Sequence, residues 1–202
     1  MNKILLIGDS IRIGYCDAVR DALKDICEVG FPGDNCRFAE YVFCNLPGWK
    51  RECFPDSVPD VVHWNAGLWD TCHFSDTEPI TPPDFYAHYI EKISLLCERL
   101  FPGAKIIFAS TTPVRADMYG ENPTQKNDEI VRYNEIAVQI ARRHGFGIDD
   151  LHAAAAAFPK EYYSDAVHLN TPAGKAAMAN AVLRSVCGAI GIDCPRIPQP
   201  NE

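Results

Sequence analysis

Apolar residues gather along this chain in short runs that end at turn-forming residues. Lys3 to Ile7 stops at Gly8, and Asp25 to Gly30, Val58 to His63, Ala104 to Ala109 and Gly145 to Ile148 are likewise bounded by Gly, Pro or polar positions. Runs so short and so continuously apolar predict strands buried on both faces. Helix-like stretches lie between them at Tyr15 to Lys24, Arg37 to Asn45, Asp84 to Phe101 and Asp128 to His144, and Ala173 to Val186 makes the last helix. Thr171 is placed to cap that helix, and Pro172 suits its first position, where no amide donor is needed. Ala153 to Ala157 reads as a tightly packed helical turn, and the tail 195–202, with three prolines, as an extended strap over the surface.

Strands alternating with helices imply a parallel sheet covered on both sides. The expected fold is therefore α/β, a three-layer α/β/α sandwich with a sheet of about five strands. The 202 residues suit a single domain, 1–202, large enough to bury a sizeable core.

Composition narrows the class. Hydrophobic residues at 47% and charged ones at 23% are those of an ordinary globular chain. A net charge of -8 and a pI near 5.2 repel nucleic acid and anionic membranes, so neither is an expected partner. The first apolar run reaches Asp9 too soon for a signal-peptide core or a membrane span, and a cytoplasmic protein is expected. The nine cysteines are odd in number and never stand at C-x-x-C spacing, which points to buried thiols rather than zinc or redox chemistry. Cys187 and Cys194 close a short loop and are the one pair to check.

In an open parallel sheet, ligands sit at the carboxyl ends of the strands. There the chain places Gly8-Asp9-Ser10, then Phe31-Pro32-Gly33-Asp34-Asn35, then Trp64-Asn65-Ala66-Gly67-Leu68-Trp69-Asp70, and later Ser164-Asp165-Ala166-Val167-His168. That inventory suits acyl transfer. A serine hydroxyl becomes nucleophilic when an imidazole takes its proton, and the imidazole needs a carboxylate to fix its tautomer. Ser10 is the candidate nucleophile, with Asn65 and the Ser10 amide as donors to an oxyanion.

Spacing alone leaves the base open, because D-x-x-H occurs at Asp60/His63, Asp70/His73, Asp149/His152 and Asp165/His168. On a strand, an odd separation sends Asp60 and His63 to opposite faces. His73 lies near Asn65, where contact with substrate is the better reading. His168 is preferred because the last helix anchors its loop, and Asp165 can reach it within one turn of chain. Asp149/His152 remains the competing pair.

Gly8-Asp9-Ser10 near the N-terminus, Asn65 with Gly67 after the third strand, and Asp165-x-x-His168 before the last helix resemble the SGNH superfamily of GDSL-type esterases and lipases. The resemblance runs in the right order over nearly the whole chain. It implies a flavodoxin-like sandwich, a mechanism using Ser10, His168 and Asp165, and an oxyanion hole built from Ser10, Asn65 and a glycine of the second block. Gly33 is the only glycine in that turn, with the Cys36 or Arg37 backbone as substitutes. The third block departs from the family's Gly-x-Asn-Asp and leaves Asp70 without an assigned role.

The superfamily's range of substrates is wide, and fold does not choose among them. Asp9, Trp64, Trp69 and Asp70 are read as the substrate pocket, with Tyr119 in the loop from Arg115 to Asn127 as a further aromatic; simple packing is the competing reading for Trp64. A short acyl ester of a carbohydrate or similar polar alcohol is the expected substrate, with no cofactor and no metal. A lysophospholipase or thioesterase lies within the same superfamily. A non-catalytic binding module on the same scaffold is the reading from another class, and it predicts that Ser10 is dispensable. A metal-dependent hydrolase would need ligand spacing of the His-Glu-x-x-His kind, which is missing.

Overall fold

The computed structural model describes residues 1–74, 78–121 and 123–200. Its strands are β1 (Asn2–Ile7), β2 (Cys27–Gly30), β3 (Val61–Trp64), β4 (Lys105–Ala109) and β5 (Gly147–Asp149). They form one parallel sheet in the order β2-β1-β3-β4-β5, the flavodoxin-like order. The helices are α1 (Ser10–Leu23), α2 (Ala39–Cys53), α3 (Pro83–Leu100), α4 (Asn127–Arg143), α5 (Leu151–Ala156) and α6 (Pro172–Ile190).

Strand side chains alternate between the faces. Leu5, Ile7, Val62, Trp64, Ile106 and Phe108 pack with α2, α3 and α4, while Ile4, Leu6, Val61, Ile107 and Ala109 pack with α1 and α6. The fold is thus the expected three-layer α/β sandwich. The direction in which successive strands are added reverses between β1 and β3, and the crevice of such a sheet opens at that point.

Several boundaries move for physical reasons. The first helix starts at Ser10 rather than Tyr15, because the Asp9 carboxylate accepts from the Ile11 amide at 2.9 Å and caps it. The second passes through Pro47 to Cys53, although proline removes a helical bond. Val42, Leu46 and Trp49, all buried on one stripe, hold it together across that gap. β3 begins only at Val61, since Asp60 is already committed to β1: its amide donates to the Lys3 carbonyl at 2.8 Å, and its carboxylate accepts from the Lys3 amide at 2.7 Å.

The last helix starts as expected, with the Thr171 hydroxyl accepting from the Gly174 amide at 3.1 Å and proline in the first turn. Losing that cap would cost about 1 kcal/mol. It runs on to Gly191, whose φ of 68° provides the left-handed terminus. The Asn180 amide exchanges two 2.9 Å bonds with the Ile197 backbone and ties down the tail, of which residues 201–202 lie outside the described residues.

All nine cysteines are free. Cys16, Cys27, Cys36, Cys72, Cys97 and Cys187 are buried as expected, but Cys44 and Cys194 are exposed. Burial and the neighbouring Cys194 push the Cys187 thiol up to about 12. Among the described residues no helix is long and apolar enough to cross a membrane.

Candidate active site

Ser10 is the first residue of α1, at the carboxyl end of β1. The first amides of a helix have no partner within it, so the positive end of α1 opens where Ser10 stands. Its Oγ lies 2.9 Å from His168 Nε2. On the other side of the ring, His168 Nδ1 lies 2.8 Å from Asp165 Oδ2 and 3.0 Å from Oδ1. Serine, imidazole and carboxylate therefore form one hydrogen-bonded chain between residues 158 positions apart.

The loop that delivers this pair is closed on itself. Asp165 Oδ1 accepts from the amides of Val167 at 2.8 Å and His168 at 2.7 Å, while the Ser164 amide donates to the His168 carbonyl at 2.8 Å. Burial pushes the Asp165 carboxyl up, but the two amides and the imidazole outweigh it and hold the group below its ordinary value. The carboxylate is thus kept as an anion.

Close packing sets the loop against the start of α6. A Cβ on Gly174 would meet the Tyr162 carbonyl at 2.2 Å, so only glycine lets α6 start so near the loop. The Thr171 hydroxyl donates to that same carbonyl at 2.9 Å. The Arg115 amide donates to the Ala166 carbonyl at 2.7 Å and adds an anchor from the loop after β4.

Asn65 follows β3 at the switch point, its amide donating to the Ile7 carbonyl at 3.0 Å. Its side-chain Nδ2 donates to the Ala109 carbonyl at 2.7 Å and makes a longer contact of 3.3 Å to Thr111 Oγ1. Gly67 holds φ at 153°, and a Cβ there would meet Thr111 Oγ1 at 2.3 Å. The glycine therefore permits the approach of Thr111 that sets the Asn65 amide.

The other Asp-x-x-His pairs are separated. Asp149 Oδ2 lies 2.8 Å from His63 Nε2, His73 Nε2 lies 2.6 Å from Glu129, and the Asp70 carboxylate faces α2. His152 gives its backbone amide to Ser110 Oγ at 2.9 Å, and its Nε2 is buried without a partner. Asp149/His152 is therefore not a pair.

The expected substrate pocket needs correction. Asp9, Trp64 and Asp70 are buried, Asp9 lining only a small cavity beside Asn65 and Leu68. Asp9 caps α1, and its carboxyl is pushed up by burial, with the Ile11 amide opposing. Trp64 is the last residue of β3 and alternates away from His63, so it packs edge-on against Phe108 with ring centroids 5.0 Å apart. Both Asp70 oxygens accept from the Ala39 amide at 3.1 Å, and burial pushes that carboxyl up to about 7. Trp69 alone of the four is half-buried. Tyr119, also partly buried, hydrogen-bonds Gln125.

Gly33, expected to complete the oxyanion hole, is exposed, and its amide points to Glu52 Oε1 at 3.4 Å. The substitutes are engaged as well: the Cys36 amide donates to the Gly8 carbonyl at 3.2 Å and the Arg37 amide to Asn35 Oδ1 at 3.0 Å. The residue that sequence reading missed is Arg12, buried directly beneath this turn. A charged residue inside the apolar stripe of α1 was the available signal.

Comparison with known proteins adds an independent line. The model of the GDSL-like lipase/acylhydrolase family matches residues 6–177. No curated protein matches the chain. Among solved structures, the acetyl xylan esterase AlAXEase is 18% identical, with 91% of this chain and 99% of that one covered at a TM-score of 0.72. Axe2, an acetylxylan esterase from Geobacillus stearothermophilus, is 20% identical over 98% of this chain and 97% of its own, with a TM-score of 0.70. The lipase/acylhydrolase from Enterococcus faecalis is 17% identical over 98% and 100%, with a TM-score of 0.68. At such identities the likeness is one of fold.

Proposed function

The chain belongs to the GDSL-like lipase/acylhydrolase family, whose members hydrolyse esters, and from that premise we propose that it cleaves short acyl esters through Ser10, His168 and Asp165. The observation that carries the reading is the hydrogen-bonded chain from Ser10 Oγ through His168 to Asp165.

In this reading His168 Nε2 takes the Ser10 proton as Oγ attacks the ester carbonyl. Asp165 holds the Nδ1 proton, selects the tautomer and stabilises the imidazolium. The oxyanion meets the Ser10 amide at the positive end of α1 and the Asn65 side chain, whose 3.3 Å contact to Thr111 is the one that yields. His168 then returns the proton to the departing alcohol. Water enters by the same route in reverse, and His168 activates it to release the acid from the acyl-serine.

The proposed substrate is an acetylated carbohydrate or a similar polar alcohol. Two of the structural neighbours are acetyl xylan esterases, and the half-buried Trp69 and Tyr119 are aromatic surfaces of the sort that stack on sugar rings. The test is intact-mass analysis after exposure to a fluorophosphonate, followed by turnover of acetylated xylo-oligosaccharides against p-nitrophenyl acetate. A single adduct on Ser10 supports the mechanism. Adduct formation without sugar-ester turnover would retain the esterase and remove the carbohydrate.

A further inference from the structure

Arg12 lies two residues beyond Ser10 and is 2% exposed. Arginine keeps its charge in proteins and is almost never buried without a charged partner. Here the guanidinium instead meets backbone and sulfur. Nε donates to the Gly8 carbonyl at 3.3 Å, Nη2 donates to the Asp34 carbonyl, and the Cys16 and Cys36 sulfurs stand 3.8 and 3.9 Å from Nη1 and Nη2. The Phe31 ring covers it at 5.8 Å. The Cys36 thiol offers no counter-charge, since burial pushes it up to about 11. An apolar side chain of similar volume would fill this place at lower cost, which makes the cation a feature to explain.

What it grips is the turn from β2 to α2. Because β2 lies beside β1 and β1 beside β3, that turn crosses the end of β1 to reach the loop after β3. Its backbone is strained: Arg37, not a glycine, holds φ at 48°. Such conformations persist only where the surroundings over-determine them, and they cluster at functional sites. Two buried side chains from outside the turn hold its two ends. Arg12 takes the Asp34 carbonyl, and the buried Asp70 carboxylate takes the Ala39 amide. The Gly8 carbonyl, two residues before Ser10, receives both Arg12 Nε and the Cys36 amide.

We propose that Arg12 is a positioning residue for the esterase reaction, locking the β2–α2 turn to the Gly8 carbonyl so that the backbone carrying Ser10 holds its amide where the oxyanion forms. The proposal rests on the Ser10 reading given above. Donors of this kind act on charge that develops only in the transition state, so a loosened turn lowers kcat and leaves KM nearly alone.

The experiment compares Arg12→Met, which keeps volume and removes the charge and donors, with Arg12→Lys, which keeps the charge but loses the planar fork. Kinetics with p-nitrophenyl acetate are read at a temperature where circular dichroism shows each variant folded. Arg12→Met is expected to lose roughly 10- to 100-fold in kcat, with KM changed by less than about threefold and Arg12→Lys between it and wild type. Wild-type kcat in a folded Arg12→Met overturns the proposal, as does a loss confined to KM. If Arg12→Met does not fold, Arg12→Lys decides on the same criteria; failure of both to fold makes the residue structural and also overturns it. Labelling of wild-type Ser10 by the fluorophosphonate, run in parallel, separates this outcome from failure of the esterase reading itself.

Discussion

Asp149 Oδ2 lies 2.8 Å from His63 Nε2, across the intervening strand β4, and not against His152 three residues on. The register explains it. His63 stands opposite Ile107 and Asp149 opposite Ala109, so both side chains leave the same face of the sheet one pleat apart. The carboxylate that chain spacing offered to a possible base is spent inside the sheet.

Ser10→Ala is expected to abolish p-nitrophenyl acetate hydrolysis while circular dichroism stays that of the wild type, because the Oγ partner is His168 and the helix cap is Asp9. Unchanged turnover would sink the nucleophile assignment.

Asn65→Ala is expected to lower kcat roughly 100- to 1000-fold, the usual effect of losing one oxyanion donor. The side chain also braces the Ala109 carbonyl at 2.7 Å, so a fall in melting temperature should accompany the loss. A kcat change below about threefold, far short of that range, would leave Asn65 with the bracing role alone.

Much of this arrangement was legible in the chain. Short apolar runs ending at Gly8, Gly30 and Ala109 located strands, and the Thr171-Pro172 pair located a helix start. Residues such as Trp64 and Asp70 were misplaced for a shared reason: lying at or just after the end of a strand puts a residue near the crevice but does not say on which side of the backbone it falls. Pairing across strands was also out of reach, since His63 and Asp149 are 86 positions apart and meet only through sheet register. Arg12 escaped because the helix was read only from Tyr15, which left Arg12 outside the stripe it shares with Tyr15, Cys16 and Val19.

Asp70 gives a stability prediction. Its carboxyl is raised by burial from 3.8 to about 7, so the protein binds a proton there that the unfolded chain has released. Stability is fully present below the unfolded value and is lost as pH rises through the folded one. Wild type should therefore lose stability between about pH 4 and 7 through this group, by more than about 1 kcal/mol in urea unfolding. Asp70→Asn, which still accepts from Ala39, should flatten that slope. An identical slope in the variant would mean that the carboxyl is ionised in the folded state at ordinary acidity.

Dialysis against a strong chelator is expected to leave turnover unchanged. The proposed nucleophile is Ser10, activated by His168, and among the described residues no three His, Cys, Asp or Glu side chains stand together as a metal site. Activity lost to chelation and restored by zinc would require a different mechanism.

The remaining prediction concerns the base. His168 touches both Ser10 and Asp165, whereas His152 has a buried ring nitrogen without a partner and a backbone amide committed to Ser110. His168→Ala should remove nearly all turnover and also the fluorophosphonate labelling of Ser10, because both need the activated hydroxyl. His152→Ala should keep both. In wild type, kcat/KM should fall towards acid with a slope of one proton, since the base must be neutral and Asp165, held below its ordinary value, stays ionised through that limb. Asp149→Asn provides the control: it breaks the His63 pair, so it should cost stability while labelling of Ser10 persists. Loss of labelling in His152→Ala and Asp149→Asn, with His168→Ala still labelled and all three folded, would transfer the base to the other pair and reverse the assignment.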